Sequence, residues 1–318
     1  LRWSREHTRA GSACRKKGKL SYAQSRPDCS AAPRANRDPE IYDLEELFTD
    51  TRAIGVFDSG LGGLTAVREL RRILPGENLC YFGDTARVPY GSRGRETIRR
   101  FASECLDFLE RQDVKLIIVA CGTVSSVLAD EMGSRPVPCI GVVGPTAEAA
   151  TAATKNGKIG LIATAATVAS RSYEKAVKAL APEAEFEGVA CPLLVPLVEN
   201  GYTDFHNEIT RKVLSDYFEK FRLTDMDTLI LGCTHYPLLY TMIDEMTGRK
   251  LFLIDSGRET ALAAARYLKE NGLLNESGET GKMKFFLTDT GGSFADLGRE
   301  FLGEELPEVE KISPDDLI

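Results

Sequence analysis

Two stretches of this chain repeat each other, and that repeat limits the fold more than any other feature. Ile54-Gly55-Val56-Phe57-Asp58-Ser59 aligns with Ile159-Gly160-Leu161-Ile162-Ala163-Thr164, and Leu116-Ile117-Ile118-Val119-Ala120-Cys121 aligns with Thr228-Leu229-Ile230-Leu231-Gly232-Cys233. The spacing inside each copy is similar, 67 residues from Ile54 to Cys121 and 74 from Ile159 to Cys233. Each run is a short apolar stretch that stops at a small hydroxyl residue or a cysteine, the pattern of a strand buried on both faces. Strands are expected over 53–57, 78–82 and 115–120, with helices over 63–74, 94–111 and 123–133. The rhythm restarts with strands over 158–162, 185–189, 228–231 and 251–254 and helices over 167–180 and 204–221. Such alternation predicts parallel sheets covered by helices. The expected fold class is α/β, two pseudo-symmetric doubly wound parallel-sheet domains with the active site in the cleft between them. Residues 51–146 plus 255–318 are assigned to the first domain and 147–254 to the second.

Composition removes several function classes. Residues 1–40 carry ten Lys/Arg against four Asp/Glu, which leaves 30 against 43, a net −13, for the rest of the 318-residue chain. A body this acidic is a poor partner for nucleic acid. The longest apolar runs, such as residues 116–120, fall far short of the ~18 residues that a bilayer span needs, so no membrane segment is expected. Residues 1–50, rich in Arg, Ser, Ala and Pro, read as a basic, disordered arm. Eight cysteines contain no C-x-x-C pair. Neither a metal site nor a disulfide framework is written locally, and reduced thiols in a cytoplasmic protein are the better reading.

The chemistry rests on the repeated strand ends. A lone cysteine after an apolar strand is more often a small buried hydrophobe than a nucleophile. Two at equivalent strand ends differ, because ligands of open α/β sheets bind at the carboxyl ends of the strands. If the halves face each other about a pseudo-twofold axis, Cys121 and Cys233 approach one cleft from opposite sides. That suits racemisation, in which a base takes a proton from one face of a carbon and an acid delivers another to the opposite face. With a thiol pKa of about 8.5, one thiolate and one thiol coexist near neutral pH after modest tuning. A phosphatase-type C-x5-R loop fails because position 127 is Val127. An acyl-transfer dyad of Cys233 and His235 is possible, but residues two apart on a turn are not expected to face each other, and no third orienting group follows them in the sequence. The loop Asp58-Ser59-Gly60-Leu61-Gly62-Gly63-Leu64 ends a strand and opens a helix, so its backbone N–H groups can converge on an anion. It has neither Walker A nor dinucleotide spacing. Asp58 there can accept a substrate ammonium or poise Cys121.

These residues resemble bacterial glutamate racemases. The resemblance is carried, in order, by residues 54–64, by Tyr81-Phe82-Gly83-Asp84 through Pro89-Tyr90-Gly91, by Ala120-Cys121-Gly122-Thr123, by Pro196-Leu197-Val198-Glu199-Asn200-Gly201, and by Gly232-Cys233-Thr234-His235-Tyr236-Pro237-Leu238-Leu239. It implies a racemase that interconverts L- and D-glutamate without a cofactor or metal and supplies D-glutamate for peptidoglycan. It further implies that Cys121 deprotonates D-glutamate and Cys233 L-glutamate, with Asp58 and His235 assisting their thiols. The substrate would be held by Asp58, Ser59, Tyr90, Gly91, Gly122, Thr123, Thr234 and His235, largely through backbone N–H and hydroxyl groups. Glu199 would tune His235 from behind. The expected partner is small-molecule glutamate, with no nucleic acid and no membrane, and the expected assembly is a homodimer. Two alternatives stay open: a sibling racemase acting on aspartate or another acidic compound, and a non-catalytic amino-acid sensor.

One position departs from the family's pattern. The usual motif is C-N-T, and this chain has Gly122 in place of the Asn. Gly122→Asn is therefore expected to restore an amide contact and lower the Michaelis constant. Asp84 reads as a turn cap, His206 as a residue of a helix surface, Cys80, Cys105, Cys139 and Cys191 as core thiols, and Asp255 as the cap of the helix after 251–254.

Overall fold

Ile54, Val56 and Phe57 have no exposed surface, and their alternation assigns each to one side of a sheet. Ile54 and Val56 pack with Leu64, Val67 and Leu70 of one covering helix, whereas Phe57 packs with Ala102, Cys105 and Leu109 of another. A strand buried this way on both faces belongs in the middle of a helix-covered parallel sheet. The computed structural model, which describes residues 49–291 and 294–317, places it there. The arm expected over residues 1–50 lies outside the described residues except for its last two.

The first sheet has six strands in the order β10-β9-β2-β1-β3-β4, and every pairing is parallel. Its strands are β1 (Ile54–Asp58), β2 (Leu79–Gly83), β3 (Leu116–Val119), β4 (Cys139–Gly141), β9 (Met283–Leu287) and β10 (Val309–Lys311). The second sheet, order β6-β5-β7-β8, is parallel throughout and holds β5 (Lys158–Ala163), β6 (Glu185–Ala190), β7 (Thr228–Leu231) and β8 (Phe252–Asp255). The run β2-β1-β3-β4 matches β6-β5-β7-β8 strand for strand, so the sequence repeat is a repeat of topology. β1 is the counterpart of β5, and β3 of β7.

The helices alternate with the strands, as crossovers between parallel strands require. α1 (Leu64–Ile73), α2 (Arg95–Glu110), α3 (Gly122–Val127) and α4 (Val143–Ala153) belong with the first four strands. α5 (Ala165–Ser170), α6 (Ser172–Leu180), α7 (Leu194–Glu199), α8 (Glu208–Phe218) and α9 (Tyr240–Met246) accompany the second sheet. α10 (Ser256–Glu270) returns the chain to the first sheet, where α11 (Phe294–Leu302) follows β9. The Asp255 carboxylate caps α10, accepting from the N–H groups of Gly257 and Arg258 at 2.8 and 3.3 Å. One apolar cluster runs through both halves, from Val67 and Leu70 of α1 to Leu231 of β7 and Ala261 of α10.

Several elements differ from the sequence reading. The helix expected over 167–180 is two helices, α5 and α6, because Arg171 takes a left-handed conformation at φ 56°. The helix expected over 123–133 ends at Val127. The one expected over 204–221 contracts to α8, whose N-cap is Asn207 accepting from the Thr210 N–H at 3.0 Å, which leaves His206 in the preceding turn. β4 and α4 add to the expected elements: two prolines directly before β4 mask its strand pattern, and Gly144-Pro145 masks the helical pattern of α4 but sits in its first turn, where proline is tolerated. Among the described residues no helix is long and apolar enough to cross a membrane.

Candidate active site

In the first sheet Ile54 pairs with Leu116 and Phe57 with Val119, so the ends of β1 and β3 stop level with one another. Ser59 and Cys121 emerge there side by side, with Cys121 Sγ 3.4 Å from Ser59 Oγ. The second sheet repeats the device. Ile159 pairs with Thr228 and Ile162 with Leu231, which brings Thr164 and Cys233 to matching strand ends.

Both thiols border one cavity of about 270 Å³. From the first half Ser59, Tyr90, Gly91, Gly122 and Thr123 line it, and from the second Thr234, His235 and Glu199. Clefts for drug-sized ligands run to about 300–1,000 Å³, so this one suits a small molecule. Among the described residues no lysine or arginine lines it. An anionic ligand would therefore be held by hydroxyls and backbone N–H groups. Asp58 stands behind the wall, 1% exposed, with the Gly60 N–H donating to its Oδ2 at 2.9 Å and, among the described residues, no hydrogen-bond partner on its Oδ1. Among the described residues no group of three His, Cys, Asp or Glu could hold a metal ion.

The two thiols have opposite electrostatic surroundings. Burial and the nearby Asp58 carboxylate push the Cys121 thiol up to about 12, against the pull of the Ser59 hydroxyl. Burial also raises the Asp58 carboxyl above the ordinary range, more than the His235 charge and the Gly60 N–H offset. On the other side Cys233 Sγ lies 3.7 Å from His235 Nδ1, and His235 Nε2 lies 3.0 Å from Glu199 Oε1. Burial pulls the His235 imidazole down, but its hydrogen bonds to Cys233 and Glu199 prevail and hold it at about 10. Cys121 thus rests as a protonated thiol, while Cys233 faces an imidazole that carries a proton at neutral pH. Phe301 of α11 packs edge-on against the His235 ring at 5.0 Å and fixes its tilt.

A buried carboxylate places the Tyr90-Gly91 wall. Asp84 has no exposed surface and accepts hydrogen bonds from Tyr90 Oη, from Arg87 Nε at 2.7 Å and from Thr288 Oγ1 at 2.9 Å. It holds the whole turn rather than capping its first residue. The Tyr90 hydroxyl is thus committed to Asp84.

The halves meet through small groups. Thr123 Oγ1 is 3.0 Å from Thr164 Oγ1, Ser172 Oγ donates to Ser126 Oγ at 2.8 Å, and Thr65 Oγ1 donates to the Thr234 carbonyl at 3.0 Å. Close approach also explains Gly62, where a Cβ would stand 2.6 Å from His235 Nδ1. At Gly122 a Cβ would stand 2.6 Å from the Gly232 carbonyl oxygen. This corrects the expectation that Asn at 122 fits and helps: the space that its side chain would leave through is occupied by backbone.

Two cavity residues escaped the sequence reading. Thr164 borders the cavity, and its alignment with Ser59 was the available signal. Cys191, read as a core thiol, has no exposed surface yet forms part of the same wall. A larger opening of about 850 Å³, flanked by Arg93, Arg95 and Lys175, contains neither thiol.

Comparison with known proteins points the same way. The profile of the Asp/Glu/Hydantoin racemase family matches residues 54–264. Glutamate racemase of Geobacter metallireducens is 43% identical over 263 residues, covering 82% of this chain and 97% of that protein. Among solved structures, glutamate racemase from Francisella tularensis in complex with D-glutamate superposes with a TM-score of 0.78 at 36% identity, over 84% of this chain and 99% of that one. The Thermus thermophilus enzyme in complex with beta-chloro-D-alanine gives 0.76 at 43% identity, over 84% and 99%.

Proposed function

This chain belongs to the Asp/Glu/Hydantoin racemase family, and we propose that it is a glutamate racemase, an isomerase that interconverts L- and D-glutamate by a two-thiol mechanism and supplies D-glutamate for peptidoglycan. The observation that carries the reading is the pair Cys121 and Cys233, brought from two repeated halves to one small cavity with unlike neighbours.

With L-glutamate bound, the Cys233 thiolate takes the α-proton: the C–H bond breaks as an S–H bond forms. Cys121 then gives its thiol proton to the opposite face of the carbanionic carbon and becomes the thiolate. The reverse sequence converts D-glutamate. His235 stabilises negative charge on Cys233, and Glu199 stabilises the proton on His235. Asp58, close behind Cys121, favours its protonated form and supplies negative charge toward the substrate ammonium. Ser59, Gly91, Gly122, Thr123 and Thr234 offer neutral donors to the carboxylates, and Tyr90 shapes the wall beside them. We place the enzyme in the cytoplasm as a homodimer, the assembly being checked by sedimentation velocity.

A circular-dichroism assay of purified protein with L-glutamate, then with L-aspartate, without added cofactor, tests the reading. Loss of optical signal with glutamate and not with aspartate is the expected result. Aspartate turning over faster would assign the chain to the sibling activity, and binding without turnover would make it a sensor.

A further inference from the structure

The cavity wall from Val88 to Tyr90 runs in neither helix nor strand, so its place depends on side-chain holds rather than on a backbone ladder. Those holds converge on Asp84, and the Asp84 carboxylate is itself oriented from 204 residues away. Leu287 of β9 pairs with Gly83 of β2, which brings Thr288 level with Asp84. Thr288 is 2% exposed, and its hydroxyl is used in both directions: Oγ1 donates to Asp84 Oδ1 at 2.9 Å and accepts from the Ala86 N–H at 2.8 Å. With Oδ1 occupied in this way, Oδ2 is the oxygen that meets Arg87 Nε at 2.7 Å and the Tyr90 hydroxyl. Gly91, next in the chain, abuts the second half, since a Cβ there would stand 3.1 Å from Thr164 Cβ.

We propose that Thr288 is a positioning residue for glutamate binding, its hydroxyl fixing the rotation of the Asp84 carboxylate and, through it, the Tyr90–Gly91 wall. A buried carboxylate stripped of one donor turns to share those that remain, because an unpaired oxygen in the interior is costly. The donors that remain are Arg87 and Tyr90, so the wall shifts with the carboxylate. These hydrogen bonds involve neither Cys121 nor Cys233, whose own partners are Ser59 and His235. Losing the Thr288 hydroxyl therefore weakens binding more than it slows the chemical step, and it does so for both enantiomers.

The inference rests on the glutamate racemase reading, and the test separates the two. Thr288→Val keeps the branched shape and deletes the hydroxyl, and Thr288→Ser keeps the hydroxyl. Each is assayed by circular dichroism with pure L- and pure D-glutamate. For Thr288→Val the Michaelis constant is expected to rise roughly five- to tenfold with both enantiomers while kcat stays within about twofold, and Thr288→Ser is expected to remain close to wild type. A purely structural residue would lower the melting temperature and leave the Michaelis constant alone. Because Thr288 acts through Asp84 on Tyr90, adding Tyr90→Phe to Thr288→Val should raise the Michaelis constant by less than the product of the two single effects. An unchanged Michaelis constant in folded Thr288→Val, a loss confined to kcat, or a full product in the double variant overturns the inference. Should Thr288→Val not fold, amide hydrogen exchange at Ala86 is followed in the wild-type protein with and without D-glutamate. Reciprocity requires that a clip favouring glutamate is itself tightened by glutamate, so exchange at Ala86 should slow several-fold, and an unchanged rate overturns the inference. Failure of the wild-type protein to racemise glutamate would instead defeat the reading of function.

Discussion

His235 Nε2 lies 3.0 Å from Glu199 Oε1, so the ring that faces Cys233 is held from behind by a carboxylate 36 residues away in sequence. Cys121 instead has the Ser59 hydroxyl and the Val124 N–H beside it and the buried Asp58 nearby. The unlike surroundings make the two half-reactions separable.

Glu199→Gln removes the charge that helps keep His235 protonated. L- and D-glutamate have equal free energies, so kcat/KM must stay equal in the two directions, and the effect is read in single-thiol backgrounds. With Cys121→Ser, exchange from L-glutamate should fall on the order of tenfold when Glu199→Gln is added. With Cys233→Ser, exchange from D-glutamate should barely change. Equal losses in both backgrounds would show that Glu199 acts on the fold rather than on His235.

The same pair leaves a mark on stability. The pKa of His235 is raised to about 10 in the folded protein and is about 6.5 when unfolded. A raised folded value contributes stability that is complete below about pH 6.5 and is lost as the pH climbs toward 10. Thermal midpoints measured across that window should decline less steeply for Glu199→Gln than for wild type. Parallel curves would mean that Glu199 contributes nothing to the His235 proton.

Serine at either thiol position should cut racemisation by orders of magnitude, because a hydroxyl is too weak an acid to serve as base near neutral pH. Residual α-proton exchange should be confined to L-glutamate for Cys121→Ser and to D-glutamate for Cys233→Ser, as read by proton NMR. Exchange from both enantiomers in one variant would mean that a single base serves both faces.

Gly122→Asn is expected to lower racemisation and the thermal midpoint, the reverse of what its neighbours in sequence suggest. Overpacking of this kind costs about 1–3 kcal/mol, and the carbonyl that it meets is backbone. Steady-state kinetics and a melting curve decide it. A lower Michaelis constant with unchanged stability would show that the two loops separate freely.

Tyr90→Phe keeps the ring and deletes the hydroxyl that Asp84 holds. A buried hydrogen bond to a charged group is worth about 1.5–3 kcal/mol, so the melting temperature should drop by several degrees. The Michaelis constant should rise several-fold with a smaller change in kcat, since Gly91 loses its placement but the thiols do not move. A kcat loss without a change in the Michaelis constant would sever the loop from substrate binding.

Alternation of strand and helix, parallel sheets, the doubled topology and the cysteines at strand ends were all legible in the chain. Each depends on periodicity or on covalent neighbours, and both are local. Ser59 beside Cys121 follows from strand register alone, and Thr164 beside Cys233 was implied by the same repeat. What lies between the halves was not legible. Neither copy's pattern encodes how its strand ends meet the other's. The approach of Gly122 to Gly232, the hydroxyl contacts Thr123 to Thr164 and Ser126 to Ser172, and the hydrogen bond from Thr288 to Asp84 exist only once two sheets and a returning C-terminal segment have packed. In sequence Gly122 was a missing amide; in the folded protein it is room for a carbonyl 110 residues away, and only packing, which sets distances between chain-remote backbones, could decide between the two.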